Sequence, residues 1–206
     1  MAQFDVSLVL PDTLYHGSTM GAIQGLRIKP INKEFWKDAK DFGAGFYTTI
    51  DLFQATTWAR KPVVAMERLN KGTDPSAMVR SLPKDQIPVV AVYDCNSNLY
   101  TDNIILHDYR GESRAWAQFI LSHRHSSTVD NCLCLNEFGW IHPHIACGLM
   151  ADNDTGQIIE DFRSQGRDIH NRDDLEWFWT QIIRTREGRR LNGLELGDQI
   201  AFSAKL

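Results

Sequence analysis

Asp41-Phe42-Gly43-Ala44-Gly45-Phe46-Tyr47-Thr48-Thr49, followed by Gln54-Ala55-Thr56-Thr57-Trp58-Ala59, is the stretch on which the reading of this chain turns. Residues 45–49 form a strand on this reading, since aromatic residues and threonines favour a pleated, half-buried surface. Side chains alternate along a strand, so Phe46 and Tyr47 face opposite ways. Phe46 is the expected core residue, and Tyr47 offers a flat face to a flat ligand ring. Thr48 and Thr49 either help place that ligand or simply serve β-propensity. Gly43 and Gly45 let the backbone approach a ligand closely. Asp51 then caps a helix over 52–69. Its apolar positions Phe53, Ala55, Trp58, Ala59, Val63 and Met66 make a rough helical stripe, and Pro62 is expected to kink or break it.

Upstream lies Leu14-Tyr15-His16-Gly17-Ser18, a His beside a Gly at the end of a short strand over 13–16. The His ring suits a sugar hydroxyl. A helical turn over 19–25 follows, with Ser18 as its cap. Residues 1–10 add a strand or an arm, and 26–40 and 71–85 read as loops. Strands are expected over 87–94, 141–150 and 197–204, with 98–106 continuing the first or turning back. Helices are expected over 113–124, capped by Ser113 and with Trp116, Phe119 and Ile120 on one face, and over 157–165 and 175–187. A turn at Asp152, Asn153 and Asp154 separates strand from helix. Strands and helices do not alternate regularly, so a doubly wound parallel sheet is not expected. The order suits an α+β fold: two small packed sheets with a cleft, surrounded by helices, in one domain over 1–206.

The 206 residues carry 22 basic and 26 acidic side chains, a formal net charge of −4. No global field draws the protein to nucleic acid or an anionic membrane. Arg184, Arg186, Arg189 and Arg190 cluster locally; a solvated helix end is the ordinary reading and a substrate-binding patch the other. The first residues include Gln3 and Asp5 rather than an apolar run, and no segment approaches the ~18 apolar residues of a spanning helix. A cytoplasmic protein with no membrane partner is expected. The four cysteines, Cys95, Cys132, Cys134 and Cys147, read as reduced thiols. Cys132 and Cys134 lie near His142, His144 and Cys147, with His123 and His125 upstream, so zinc is the alternative. One residue between the cysteines is poor spacing for a structural zinc, and a metal-free protein is expected.

The two N-terminal motifs resemble the ADP-ribosyltransferase superfamily, on its His-Tyr side of diphtheria-toxin-like and poly-ADP-ribose-polymerase-like enzymes. A bacterial family on the same plan is closer: Tyr-His-Gly-Ser, Asp-Phe-Gly-x-Gly-Phe-Tyr-x-Thr, and a last strand that here reads Asp198-Gln199-Ile200-Ala201-Phe202. The likeness runs from about Leu14 to Phe202. It implies an ADP-ribosyltransferase-like fold with NAD as substrate. It implies that His16 binds the adenosine ribose, that the Gly17 backbone binds the nicotinamide amide, and that Tyr47 stacks on nicotinamide. The implied NAD-binding set is Tyr15, His16, Gly17, Ser18, Gly43, Gly45, Tyr47, Thr48 and Thr49; the implied catalytic set is His16, Tyr47 and Gln199. Gln199 departs from the Glu of many such transferases. A carboxamide keeps a bond to a ribose hydroxyl but supplies neither charge nor a general base. Asp198 and Glu195 are the nearby carboxylates that would compensate. The implied function is mono-ADP-ribosyl transfer to a macromolecular acceptor, protein or nucleic acid. A bacterial or phage-defence toxin or effector role would add an antitoxin or immunity protein as partner. Two alternatives stay open: a non-catalytic NAD or ADP-ribose sensor module, and an NAD glycohydrolase.

Overall fold

The computed structural model describes residues 10–29, 32, 34, 36, 40–69, 74–95, 104–109, 111–125, 142–151, 154–191 and 197–203. The fold is mixed α+β with two small sheets. In chain order the elements are β1 (Thr13–Thr19), α1 (Met20–Ile28), β2 (Gly45–Thr48), α2 (Leu52–Leu69), α3 (Pro75–Ser81), a 3-10 turn (Lys84–Gln86), β3 (Pro88–Asp94), β4 (Leu106–Tyr109), α4 (Arg114–His125), β5 (Ile145–Leu149), α5 (Thr155–Ser164), α6 (Arg172–Leu191) and β6 (Asp198–Ser203). The chain divides into two compact units. One takes Met1–Asn32 and Thr48–Tyr100, the other Lys33–Tyr47 and Thr101–Leu206.

In the first unit β1 and β3 pair antiparallel, with His16 opposite Ala91 and Gly17 opposite Val90. A two-stranded sheet is marginal alone and needs a cover; α2 packs on both strands. The buried stripe of α2 is Ala55, Ala59 and Val63, spaced every four residues. Phe53, placed in that stripe by sequence, is instead 79% exposed. The close approach of helix to strand admits only small side chains there. Pro62 neither breaks nor ends the helix, which runs unbroken to Leu69. Packing of the small-residue stripe, rather than local propensity, holds it. Thr19, not Ser18, caps α1: the strand runs on through residue 19, whose hydroxyl accepts from the Ala22 amide. The expected loop at 71–85 contains α3, where Asp74 accepts from the Ser76 amide at 2.9 Å and Pro75 opens the helix.

In the second unit the sheet order is β2-β6-β5-β4. β5 pairs antiparallel with β6 and parallel with β4. Sequence placed an extended segment over 98–106; the described strand is Leu106–Tyr109, on the parallel edge beside β5. The core gathers Phe42, Trp116, Phe119, Phe162, Phe178 and Ile182. Trp116, Phe119 and Ile120 are fully buried, as their spacing on α4 requires. The Trp116 indole donates to the Leu149 carbonyl at 2.9 Å, tying α4 to the end of β5. α6 starts earlier than its apolar stripe suggested, because Asn171 accepts from the Asp173 amide and caps the helix ahead of its first apolar residue. No helix among the described residues is long and apolar enough to cross a membrane.

Candidate functional site

The Asp41-Phe42-Gly43 turn organises the second unit. Gly43 has φ +81, and a Cβ there would lie 2.6 Å from Cδ2 of His123. Only glycine meets both demands. The turn presents its backbone to Tyr47, whose hydroxyl donates to the Gly43 carbonyl at 2.6 Å and accepts from the Phe42 amide at 3.0 Å. Burial of the hydroxyl, and then the Asp41 carboxylate, push its pKa well above the usual tyrosine value; the Phe42 amide bond and Arg124 oppose them. Tyr47 therefore stays a neutral phenol. Its ring is half-buried against the core and held at its far end, which makes a fixed aromatic wall.

Asp41 is 3% exposed. Its Oδ1 accepts from Arg124 Nε at 2.6 Å, and Arg124 Nη2 also reaches it. Its Oδ2 accepts from the Ala151 amide at 2.8 Å and from Gln199 Nε2 at 2.9 Å. One carboxylate thus joins the end of α4, the residues after β5, and β6. Gln199 is itself 3% exposed and lies opposite Gly148 in the β5–β6 register. A carboxylate only accepts, so the amide nitrogen must face Asp41 and the carbonyl oxygen the other way. Asp198 faces the opposite side of the strand by alternation. Glu195 lies outside the described residues.

Next to this turn Phe119 stacks on Tyr109 (centroids 4.6 Å apart) and meets His123 at 4.2 Å. His123 and His142 meet edge to face at 5.0 Å. His107 shares a hydrogen bond of 2.9 Å with the Tyr109 hydroxyl, and burial lowers its pKa.

In the first unit β1 carries Tyr15, His16, Gly17 and Ser18. A Cβ at residue 17 would overlap the Ala55 carbonyl oxygen and lie 2.9 Å from the Ala59 amide nitrogen. Gly17 is therefore what lets α2 sit on the strand. By alternation His16 and Ser18 face away from α2, and His16 is half-buried there. Tyr15 exchanges both backbone bonds with Thr49, at 2.8 and 2.9 Å. Two residues on, the N–H and C=O of Gly17 point to that same edge of β1, away from β3. Thr48 and Thr49 are buried. Thr49 Oγ1 accepts from the Asp51 amide at 3.1 Å and from Gln54 Nε2 at 3.2 Å, so it shapes the start of α2.

The arginine cluster is not simply a solvated helix end. Arg186 is 5% exposed; it bonds Glu112 at 2.7 Å and the Met150 carbonyl. Arg190 reaches the same Glu112 oxygen at 2.7 Å, and Arg189 pairs with Asp154 at 3.6 Å. Cys132 and Cys134 lie outside the described residues. Among the described residues no group of three His, Cys, Asp or Glu side chains is placed to hold a metal. His144 Nδ1 accepts from the Ile105 amide at 2.8 Å, and Cys147 is a buried strand residue. Sequence singled out Gly43, Tyr47 and Gln199 but not Asp41 or Arg124. Asp41 was legible as the acid heading the glycine turn; Arg124 has no local signal.

A family model described as a protein of unknown function, DUF3990, matches residues 13–182. No curated protein matches the chain, and no solved structure does.

Proposed function

The chain belongs to the DUF3990 family, and for this member we propose mono-ADP-ribosyl transfer from NAD to a macromolecular acceptor. One observation carries the reading: β2, with Tyr47, is the hydrogen-bonded neighbour of β6, with Gln199. Tyr47 is a fixed aromatic wall for nicotinamide, and the Gln199 carbonyl accepts the 2′-hydroxyl of the attached ribose. The nicotinamide leaves with the bonding pair through a dissociative transition state. A nucleophile of the acceptor then attacks the ribose carbon and gives its proton to solvent. Orientation supplies most of the rate, since no general base is assigned. In the first unit, taken by itself, β1 offers the His16 ring to a ribose hydroxyl and the Gly17 backbone to an amide, and the Gly17 N–H and C=O point outward, away from β3. A toxin or effector role with an antitoxin or immunity partner belongs to the same reading.

A second reading has its own support. The carboxylate nearest Gln199 is already paired with Arg124. That leaves little charge to stabilise a ribosyl cation and favours an NAD or ADP-ribose sensor. Incubation with labelled NAD and cell lysate separates the outcomes. Labelled macromolecule means transfer, free ADP-ribose means hydrolysis, and binding without turnover means a sensor. Absence of both binding and turnover overturns the NAD reading. Within it, His16→Ala and Tyr47→Ala should each weaken NAD binding by roughly 1–3 kcal/mol in calorimetric titration.

A further inference from the structure

Position 199 poses a chemical question that its neighbours answer. Asp41 is buried and cannot turn away, because Arg124 holds Oδ1 and the Ala151 amide holds Oδ2. The third side of that carboxylate faces position 199 at 2.9 Å. Only a donor satisfies it there.

We infer that Asp41 is a positioning residue for Gln199: its buried carboxylate takes the carboxamide nitrogen, turns the carbonyl oxygen toward the ribose site, and excludes a second carboxylate from position 199. This rests on the reading of Gln199 as the ribose-binding group. Arg124 is paired with Asp41 Oδ1, and two carboxylates at this separation do not both ionise in a buried site. A Glu at 199 would have to keep its proton in order to donate to Asp41. Glutamine carries that donor hydrogen at every pH. The neutral side chain is therefore the partner that Asp41 demands, rather than a catalytic acid that was lost. The remaining oxygen accepts the same hydroxyl bond that a glutamate would.

The test is a charge swap in the full chain, read by melting temperature from about pH 4 to pH 8. For Gln199→Glu the sign follows from linkage. The folded-state pKa of the new carboxyl is raised above its unfolded value of about 4.3, so the folded form holds a proton that the unfolded chain releases. Stability relative to the parent is then near normal at about pH 4 and is lost as pH rises. At pH 7 the Tm should trail the parent by more than about 5 °C. In Asp41→Asn/Gln199→Glu position 41 supplies the donor hydrogen, its carbonyl oxygen still accepts from Arg124, and one carboxylate stands where Gln199→Glu has two, while the Ala151 amide loses its acceptor. The double variant should therefore lose the pH trend of Gln199→Glu, whatever its Tm at about pH 4. A Gln199→Glu protein that tracks the parent at every pH, or a double variant that keeps the pH trend of Gln199→Glu, overturns the inference. The catalytic arm uses the parent's NAD turnover. Asp41→Asn, which leaves the amide of Gln199 unspecified, should lower kcat at least tenfold with KM within about threefold; an unchanged kcat also overturns it. A parent that neither binds nor turns over NAD sinks the proposed function alone, since the Tm comparison still decides the pairing.

Discussion

At the scale of single residues, glycine and tyrosine positions carry the sharpest consequences. Gly17→Ala would drive a methyl group into the backbone of α2. We expect a loss of about 1–3 kcal/mol or more in urea unfolding, because backbone, unlike a flexible side-chain end, does not yield; a midpoint equal to the parent's would contradict the packing described for β1 and α2. Tyr47 separates two roles. Tyr47→Phe keeps the ring but strands the Phe42 amide, whose bond to the hydroxyl is 3.0 Å. It should cost about 1–3 kcal/mol of stability yet leave NAD affinity within about threefold, whereas Tyr47→Ala should lose both. Equal NAD affinities for the two variants in titration would remove the stacking role.

Elements are tied by a few buried polar contacts, and these rank clearly. Arg186 on α6 joins Glu112 and the carbonyl of Met150 with only 5% of its surface exposed. Breaking such a pair leaves the Met150 carbonyl without its charged donor and Glu112 with only the half-exposed Arg190, so Arg186→Ala should cost about 3 kcal/mol or more. Arg190 bonds the same Glu112 oxygen from a half-exposed position. Water replaces that contact cheaply, and Arg190→Ala should cost under about 1 kcal/mol. Chemical denaturation of the two variants side by side checks the ranking. Their order, more than either value, tests whether α6 is anchored from within. The Asp74 cap of α3 is an intermediate case, and Asp74→Ala should cost about 1 kcal/mol.

For the molecule as a whole, acid sensitivity follows from its half-buried histidines. Burial lowers the pKa of His107, and burial followed by the charge of Arg163 lowers that of His125. In both, the unfolded chain binds protons more readily than the folded one. Their contribution is complete above the unfolded value of about 6.5 and is lost as pH falls from there toward the lowered folded values. Melting temperature should therefore hold steady above about pH 7 and decline on acidification below about pH 6.5. His107→Gln should flatten part of that decline. A profile with the same slope in the variant would assign the effect elsewhere.

The amino-acid sequence by itself determined the mixed α+β class, the strand with Phe46 buried, the apolar face of α4 and the start of α2 at Asp51. Each of these depends on alternation, helical period or capping, which act between residues at most a few positions apart. Tertiary structure alone decided the rest. Gln199 meets a carboxylate 158 residues away, and Arg124 meets the same carboxylate across 83 residues. The exposure of Phe53 and the burial of Arg186 follow from which surface each helix found to pack against. Charge pairing and desolvation depend on distance in space, and no local period encodes which distant side chain will stand 3 Å away. That is why the glycine turn could be picked out from the sequence while the reason for a glutamine at position 199 could not.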